Sequence, residues 1–394
     1  MLLLILKIVF WTSVFALVHT YVIYPFIVNL LAKNKILNQN VYDINDNLPV
    51  ISIIMAVRNA ENVIHKKIQS IYKSEYPINK IEFLIGSDAS DDKTNDIIFE
   101  CIKQFPKLRF TKYTKRVGKV TIINDLSLKA KGEIFLFTDV HAIPEENTIF
   151  HLIKHFKNQD IALVCGNLKN NITGNIGVSV QEEIYLKSEI QLKYNEGVLW
   201  GNLMGAYGAF FAILKKEFKR VPTNFLVDDF FISFNAVLNG KKAILEPRAV
   251  VNEKITGNVQ QEFKRKMRIS SGNFQNLKFF SPILFSKKRL LAFSFFSHKV
   301  LRWFGPIFIL LMVISSAFLF VDSVFYKFVA SLLFFSLISP IIDYFLRKCG
   351  IHIILLRFIS HYYYMNLGLF IGLLKYLKGV KTNVWEPTNR ESKL

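Results

Sequence analysis

Long apolar runs at both ends constrain this chain more than any other feature, because they confine its charged, mixed-character stretch to the middle. Ile8 to Leu31 is about 24 residues with almost no charge, long enough to cross a bilayer as a helix. It is too long for a signal-peptide core and lacks a small-residue cleavage site, so it reads as a retained anchor. Lys33 and Lys35 follow it and favour the cytoplasmic side for what comes next. At the other end, Val300 to Val321 and Phe325 to Leu346 each read as a span. Pro282 to Phe296 is basic and apolar together, which suits a helix lying in the interface. Ile351 to Leu374 is apolar too, but Arg357, His361 and three tyrosines interrupt it. A third crossing and an interfacial or re-entrant helix both stand for that segment. The expected layout is an anchor over 1–33, a cytoplasmic domain over 49–280, an interfacial helix over 281–297, a transmembrane region over 298–376 and a cytoplasmic tail over 377–394. That makes a multi-pass protein of the cytoplasmic (inner) membrane.

Composition fits this layout. Hydrophobic residues make up 51% of the 394, with 37 Phe, which is high for a soluble protein. The formal charge of +20 suits positive-inside flanks and attraction to anionic lipid. No recognition motif accompanies the Lys and Arg, so membrane lipid is an expected partner and nucleic acid is not. Cys101, Cys165 and Cys349 make no metal spacing and no disulfide framework, in keeping with a reducing, cytosol-facing domain.

The middle of the chain alternates strand and helix signals. Pro49 to Val57 is a Pro-started apolar strand, and Arg58 to Asn62 turns into an amphipathic helix through Tyr72. Ile81–Gly86, Leu108–Tyr113 and Ile134–Phe137 follow as strands, with helices over Thr94–Phe105 and Lys119–Ala130. Further on, Ile161–Gly166 and Ala243–Val251 read as strands, Phe150–Phe156, Gln181–Tyr194 and Glu262–Arg268 as helices, and Met204–Leu214 as a Gly/Ala-punctuated apolar stretch. This spacing argues an α/β domain built on a doubly wound, mostly parallel sheet. In such sheets ligands bind at the carboxyl ends of the strands. Acids stand at those ends: Asp88, with Ser90 and Asp92 in the loop after it, then Asp139, then the pair Asp228-Asp229. Carboxylates after the second strand suit a nucleobase or ribose. Arg116-Val117-Gly118-Lys119 places amides and an ammonium at a helix start, where phosphate binds well.

Together these elements resemble the membrane-bound family-2 glycosyltransferases of GT-A fold, from Pro49 to about Gln275 and again in the C-terminal tail. Ala56-Val57-Arg58-Asn59 looks like the family's first strand end and donor loop, with Glu61 standing near the place of its usual acid. Asp88-Ala89-Ser90-Asp91-Asp92-Lys93-Thr94 follows Asp-Gly-Ser-x-Asp-x-Thr, which implies that Asp88 holds the base of a nucleotide sugar. Thr138-Asp139-Val140-His141 stands where the family has Asp-x-Asp. The resemblance assigns Asp139, with His141 beside it, to a divalent cation, magnesium or manganese, on the donor diphosphate. Imidazole suits manganese better than magnesium. Gly205-Ala206-Tyr207-Gly208-Ala209 resembles the small-residue floor of the acceptor pocket, with Gly205 and Ala206 its acceptor contacts. Asp228-Asp229 looks like the pair whose second acid is the catalytic base and whose first faces the acceptor. Arg265 to Ile269 takes the place of Gln-x-x-Arg-Trp with Arg268 alone matching. Trp385 to Arg390 resembles a tail that closes over the donor.

The resemblance implies an inverting glycosyltransferase with a nucleotide-sugar donor, a UDP-sugar as the first expectation, and a polysaccharide or lipid-linked glycan as acceptor. A processive synthase that extrudes its polymer is the alternative within the family. A membrane scaffold with a decayed transferase domain is the alternative outside it. If the tail closes over the donor, an even number of crossings must follow Gln275, so Ile351–Leu374 would lie in the interface or re-enter.

Overall fold

The computed structural model describes residues 1–171, 179–254 and 259–380, so Trp385 and the rest of its motif lie outside the described residues. The chain divides into two units. One gathers Met1–Leu30, Val180–Glu182 and Asn258–Gly379; the other is built mainly of Leu31–Ser179 and Glu183–Gly257.

The chain begins with α1 (Leu2–Val18) and α2 (Tyr24–Ala32), joined by one π-helical turn over His19–Ile23. The resulting helix, Leu2–Ala32, is long and apolar enough to cross a membrane.

The second unit carries an eight-stranded sheet. Its strands are β1 (Ile51–Val57), β2 (Ile81–Asp88), β3 (Leu108–Tyr113), β4 (Ile134–Thr138), β5 (Ile143–Pro144), β6 (Ile161–Asn171), β7 (Phe210–Leu214) and β8 (Lys242–Lys254), in the order β3-β2-β1-β4-β7-β6-β8-β5. The helices among them are α3 (Ile64–Tyr72), α4 (Thr94–Gln104), α5 (Lys119–Lys129), α6 (Thr148–Ile153), α7 (Ser179–Trp200) and α8 (Asp228–Leu238). Strands β1, β2 and β4 are buried along their whole length, which explains why they read as unbroken apolar runs rather than alternating ones.

The first four strands in the sheet order pair in parallel, as expected. Beyond them the sheet is mixed. β7 lies antiparallel to both β4 and β6, β6 and β8 run parallel, and β5 pairs antiparallel with β8. The reversed strand has a consequence for the site. Thr138 at the end of β4 pairs with Phe210 at the start of β7, so Asp139 and the Gly205–Ala209 segment meet at one edge. Helix α5 is held tightly against β2: a Cβ at Gly86 would come within 2.3 Å of Ile122 Cγ2. That close approach carries the start of α5, with Lys119, to the same edge.

After β8 come α9 (Val259–Phe280), α10 (Arg289–Ser294), α11 (Leu301–Trp303), α12 (Gly305–Phe318), α13 (Val324–Lys348) and α14 (Ile354–Leu377). Instead of one helix over 282–296 there is a 3₁₀ turn over Ser281–Phe285, and α10 then continues through a π-helical stretch, Phe295–Val300, into α11. Nor is Val300–Val321 straight, for Arg289–Trp303 and Gly305–Val321 meet at 61°. Pro306 stands in the first turn of α12, where its missing N–H costs nothing, so the helix restarts there at a new angle. Among the described residues α13 is the other helix long and apolar enough to cross a membrane, and the bent pair counts as a third only if it is one span.

Helix α14 does not meet that standard. Its small residues explain its packing instead. Gly368 lies against the Phe263 ring and Gly372 against the Met267 carbonyl of α9, at distances where a Cβ would stand 3.3 and 2.5 Å away. Ser270 and Ser271 of α9 donate their hydroxyls to the Leu369 and Gly372 carbonyls at 2.6 and 2.8 Å. The two helices therefore touch backbone to backbone, as small-residue pairs allow.

Candidate active site

Strand β2 runs two residues further than its apolar pattern implied, which buries Asp88 completely at its last position. A buried carboxylate needs partners. Asp88 Oδ1 accepts the amides of Val117 and Gly118 at 2.7 and 3.3 Å, and Arg116 Nε lies 3.5 Å from Oδ2. Gly118 takes φ +84°, a conformation that glycine adopts freely, and α5 starts at the next residue. Asp88 thus shapes the Arg116–Lys119 loop, and the two sequence motifs form one structure.

Most of the other donor-side residues singled out from the sequence knit the β1–α3 loop to the β2–α4 loop. Val57, buried, ends β1 and pairs with Ser87. The Asn59 amide donates to Ser90 Oγ at 3.2 Å and Asn59 Oδ1 accepts the Asp91 amide at 3.1 Å. The Glu61 amide donates to Asp92 Oδ2 at 3.1 Å, while Glu61 Oε2 accepts the Lys93 amide at 3.0 Å. Arg58 adds bonds to the carbonyls of Asp88 and Ala89. Asn59 and Ala89 both sit at positive φ, +45° and +51°. Asparagine tolerates that region, whereas alanine holds it at a cost of about 1 kcal/mol. The family's glycine is the residue this turn would accept without strain.

Charge concentrates one strand over. Lys119 Nζ lies 2.9 Å from Asp139 Oδ1 and 3.5 Å from Asp228 Oδ2, joining the ends of β4 and α8. Burial works against its charge, but Asp139, Asp228 and Asp229 outweigh that and hold the ammonium above its ordinary range. Asp139 begins a turn closed by the Ala142 amide on its carbonyl at 3.2 Å, and half-buried His141 lies in the same turn. Beneath this turn is Lys67 of α3, fully buried, which donates to Thr138 Oγ1 at 2.7 Å and to the Ala142 carbonyl. Burial pushes Lys67 down to about 7, against the pull of Asp139.

Gly205, at φ +84°, packs on the Phe230 ring, and the Ala206 amide donates to Ser233 Oγ at 3.1 Å. These contacts seat the first turn of α8 beside β7. Asp228, buried, faces Lys119. Asp229, half-buried, hangs from two amides: Gly208 to Oδ2 at 2.9 Å and Phe230 to Oδ1 at 2.7 Å. Burial, then Asp228, raises its carboxyl to about 6 against the pull of Lys119, the Phe230 amide and Lys193. A carboxylate of that strength is suited to accept a proton near neutral pH.

The structure therefore brings Asp88, Lys119, Asp139, His141, Gly205, Ala206, Asp228 and Asp229 to one edge of the sheet. Arg268 is exposed on α9, in the other unit. Lys67 was not singled out from the sequence, although a signal for it exists. It falls among Ile64, Ile68 and Ile71 on the buried face of an amphipathic helix, where a lysine is out of place. Gly208 falls in the small-residue motif expected to floor the acceptor pocket, but its amide bond to Asp229 could not be read from the sequence.

Comparison with known proteins agrees with this fold. Residues 52–221 match the glycosyl transferase family 2. A β-monoglucosyldiacylglycerol synthase of Nostoc sp. is 30% identical over 124 residues, which is 31% of this chain and 26% of that protein. A dolichyl N-acetyl-α-D-glucosaminyl phosphate 3-β-D-2,3-diacetamido-2,3-dideoxy-β-D-glucuronosyltransferase of Methanococcus voltae is 26% identical over 279 residues, 68% of this chain and 82% of that one. The chain thus matches about a quarter of the length of the first relatives and about four fifths of the archaeal one. Among solved structures, the mannosyltransferase PcManGT from Pyrobaculum calidifontis, in complex with GDP-Man and Mn2+, shares the fold. Its TM-score is 0.73 at 18% identity, over 94% of this chain and 99% of that one. The chain thus carries, over residues 52–221, a domain that matches glycosyl transferase family 2, on a GT-A-like fold.

Proposed function

We propose that the protein transfers a sugar, with inversion, from a nucleotide-diphosphate sugar to a hydroxyl of a lipid-linked or polysaccharide glycan at the cytoplasmic face of the membrane. The observation that carries this reading is the cluster in which Lys119 joins Asp139 to Asp228 while Asp229 hangs beside it from the Gly208 amide. One end of the cluster suits a diphosphate and the other suits a proton. Asp229 accepts the proton of the acceptor hydroxyl as its oxygen attacks the anomeric carbon from the face opposite the leaving group. The bond to the diphosphate breaks, and the nucleotide departs with Lys119 against its charge. The Asp88-braced Arg116–Lys119 loop, with Asn59, Glu61, Ser90 and Asp92 around it, cradles the nucleoside.

Asp139 and His141 would suit a divalent cation that takes its remaining ligands from elsewhere. Among the described residues no three His, Cys, Asp or Glu side chains form a self-contained cage. Asp139, with His141 in the same turn, would supply one or two ligands, and diphosphate and water the rest. When bound, the cation offsets charge on the departing diphosphate. The Mn2+ of the Pyrobaculum neighbour supports this.

Two candidate spans support the membrane location, and Lys33 and Lys35 support the cytoplasmic face. Helix α14 falls short as a span and packs along α9, which supports an interfacial place for it. Relatives named for a glucosyldiacylglycerol and a dolichyl phosphate sugar support a lipid-linked acceptor.

The test is to incubate the purified full chain with Mn2+, a panel of nucleotide sugars and lipid-linked acceptors. Acceptor-dependent release of the nucleoside diphosphate is expected, with product of inverted anomeric configuration by NMR. Retained configuration, no release from any donor, or full turnover in Asp229→Asn would overturn the proposal.

A further inference from the structure

Lys193 on α7 is only 5% exposed, a costly place for an ammonium unless its surroundings meet the charge. Its Nζ stands 3.7 Å from the centroid of the Tyr207 ring, a close cation–π contact, and 4.0 Å from Glu189 Oε1 one turn earlier. Tyr207 is pinned from another side, for its amide donates to Cys165 Sγ on β6 at 3.2 Å. The next residue, Gly208, donates its amide to Asp229 Oδ2 at 2.9 Å. A buried cation is therefore linked to the carboxylate of Asp229 through one aromatic ring and one peptide unit.

We propose that Lys193 is a positioning residue of the transfer: it clamps the Tyr207 ring so that the Gly208 amide stays aimed at Asp229, and it supplies positive charge that offsets Asp228. The proposal rests on Asp229 being the base. Among the described residues the titratable groups that act on Asp229 are Asp228 on α8, Lys119 on α5, Lys193 on α7 and, neutral because burial pushes it up, the thiol of Cys165 on β6. Lys119 is already divided between Asp139 and Asp228, which leaves Lys193 as the second cation acting on Asp229. An apolar side chain would cover the Tyr207 ring equally well, so a purely packing role makes no use of the ammonium. That difference can be measured.

Lys193→Met and Lys193→Arg, made in the full chain, are assayed for nucleoside-diphosphate release across about pH 5 to 8.5 at saturating donor. In Lys193→Met the acid limb is expected to move up by about one pH unit, the scale of one lost charge interaction near a half-buried carboxylate. Its plateau kcat should fall about tenfold with donor KM unchanged, as for a base slightly out of line. Arginine keeps both the charge and the ring contact, so Lys193→Arg should restore the wild-type limb. A Lys193→Met limb at the wild-type position, with or without a fall in kcat, overturns the proposal, as does an equal shift in both variants. Should Lys193→Met fail to fold, Tyr207→Leu, which removes the clamped ring, must lower kcat about tenfold while Tyr207→Phe does not. Equal rates in those two overturn the clamp. Asp229→Asn separates the readings: turnover retained there removes the base itself, whereas an inactive Asp229→Asn with an unmoved Lys193→Met limb removes only the role of Lys193.

Discussion

Replacing Gly208 by alanine tests how closely the site is built around Asp229. A Cβ at position 208 would stand 2.7 Å from Asp229 Oδ2, 3.4 Å from its Cγ and 3.5 Å from its Cβ. Ordinary contact begins near 3.4 Å, so the carboxylate oxygen must retreat by roughly 0.5 Å or more. The 2.9 Å bond from the Gly208 amide is then stretched or lost. A hydrogen bond to a charged acceptor is worth about 1.5–3 kcal/mol, which corresponds to roughly ten- to a hundredfold in rate if the loss is felt at the transition state. The expected result in steady-state release assays is a fall in kcat of that size with donor KM nearly unchanged. Asp229→Ala removes the clashing oxygen, so adding Gly208→Ala to it should cost nothing further, a strongly non-additive pair. Wild-type kcat in Gly208→Ala would refute the reasoning. So would an equal loss in both backgrounds, which would point to general backbone damage.

Asp139→Asn should abolish transfer and Mn2+-dependent donor binding, measured by calorimetry, because an amide cannot offset a bridging cation. His141→Asp should keep activity and, where the imidazole is a ligand, move metal preference from manganese toward magnesium; an unchanged metal profile would take His141 out of the ligand set. Asp229 is raised to about 6, so the folded protein holds that proton more tightly than the unfolded chain. The stability it contributes is present at low pH and is lost as pH rises through about 6. Asp229→Asn should therefore raise Tm by a few degrees at about pH 7.5 and by much less at about pH 4, and equal shifts at both would contradict the sign. Gly86→Ala places a Cβ 2.3 Å from Ile122 Cγ2, so it should destabilise the fold by roughly 1–3 kcal/mol and weaken donor binding. Ile122→Ala in the same chain should recover part of both. A cysteine at Thr388, in a chain lacking Cys101, Cys165 and Cys349, should resist an impermeant thiol reagent in intact cells and react after lysis; labelling before lysis would place the tail outside.

Local chemistry is legible in this chain without its fold. Unbroken apolar runs located β1, β2 and β4, because a strand buried on both faces needs no polar alternation. Once those strands were placed, Asp88 and Asp139 had to stand at or just beyond their carboxyl ends, and the start of α5 followed from Gly118-Lys119. Such signals are carried by residues within a turn or two of each other. What the folded chain alone decided is everything that depends on distant segments meeting. Nothing local states that β7 runs against β4, yet that reversal sets Phe210 opposite Thr138 and delivers the Gly208 amide to Asp229. The break of the helix at Phe304 was hidden in the same way by an apolar run that reads as one span. Lys67 and Lys193 resisted reading for a related reason. A lysine is by default a solvated residue, and long-range neighbours, Thr138 and Ala142 for the one and Tyr207 (besides Glu189 one turn away) for the other, help make its burial tolerable. Periodicity determined which segments form and where their acids stand; long-range packing, which no local window contains, decided which cation and which amide face each acid.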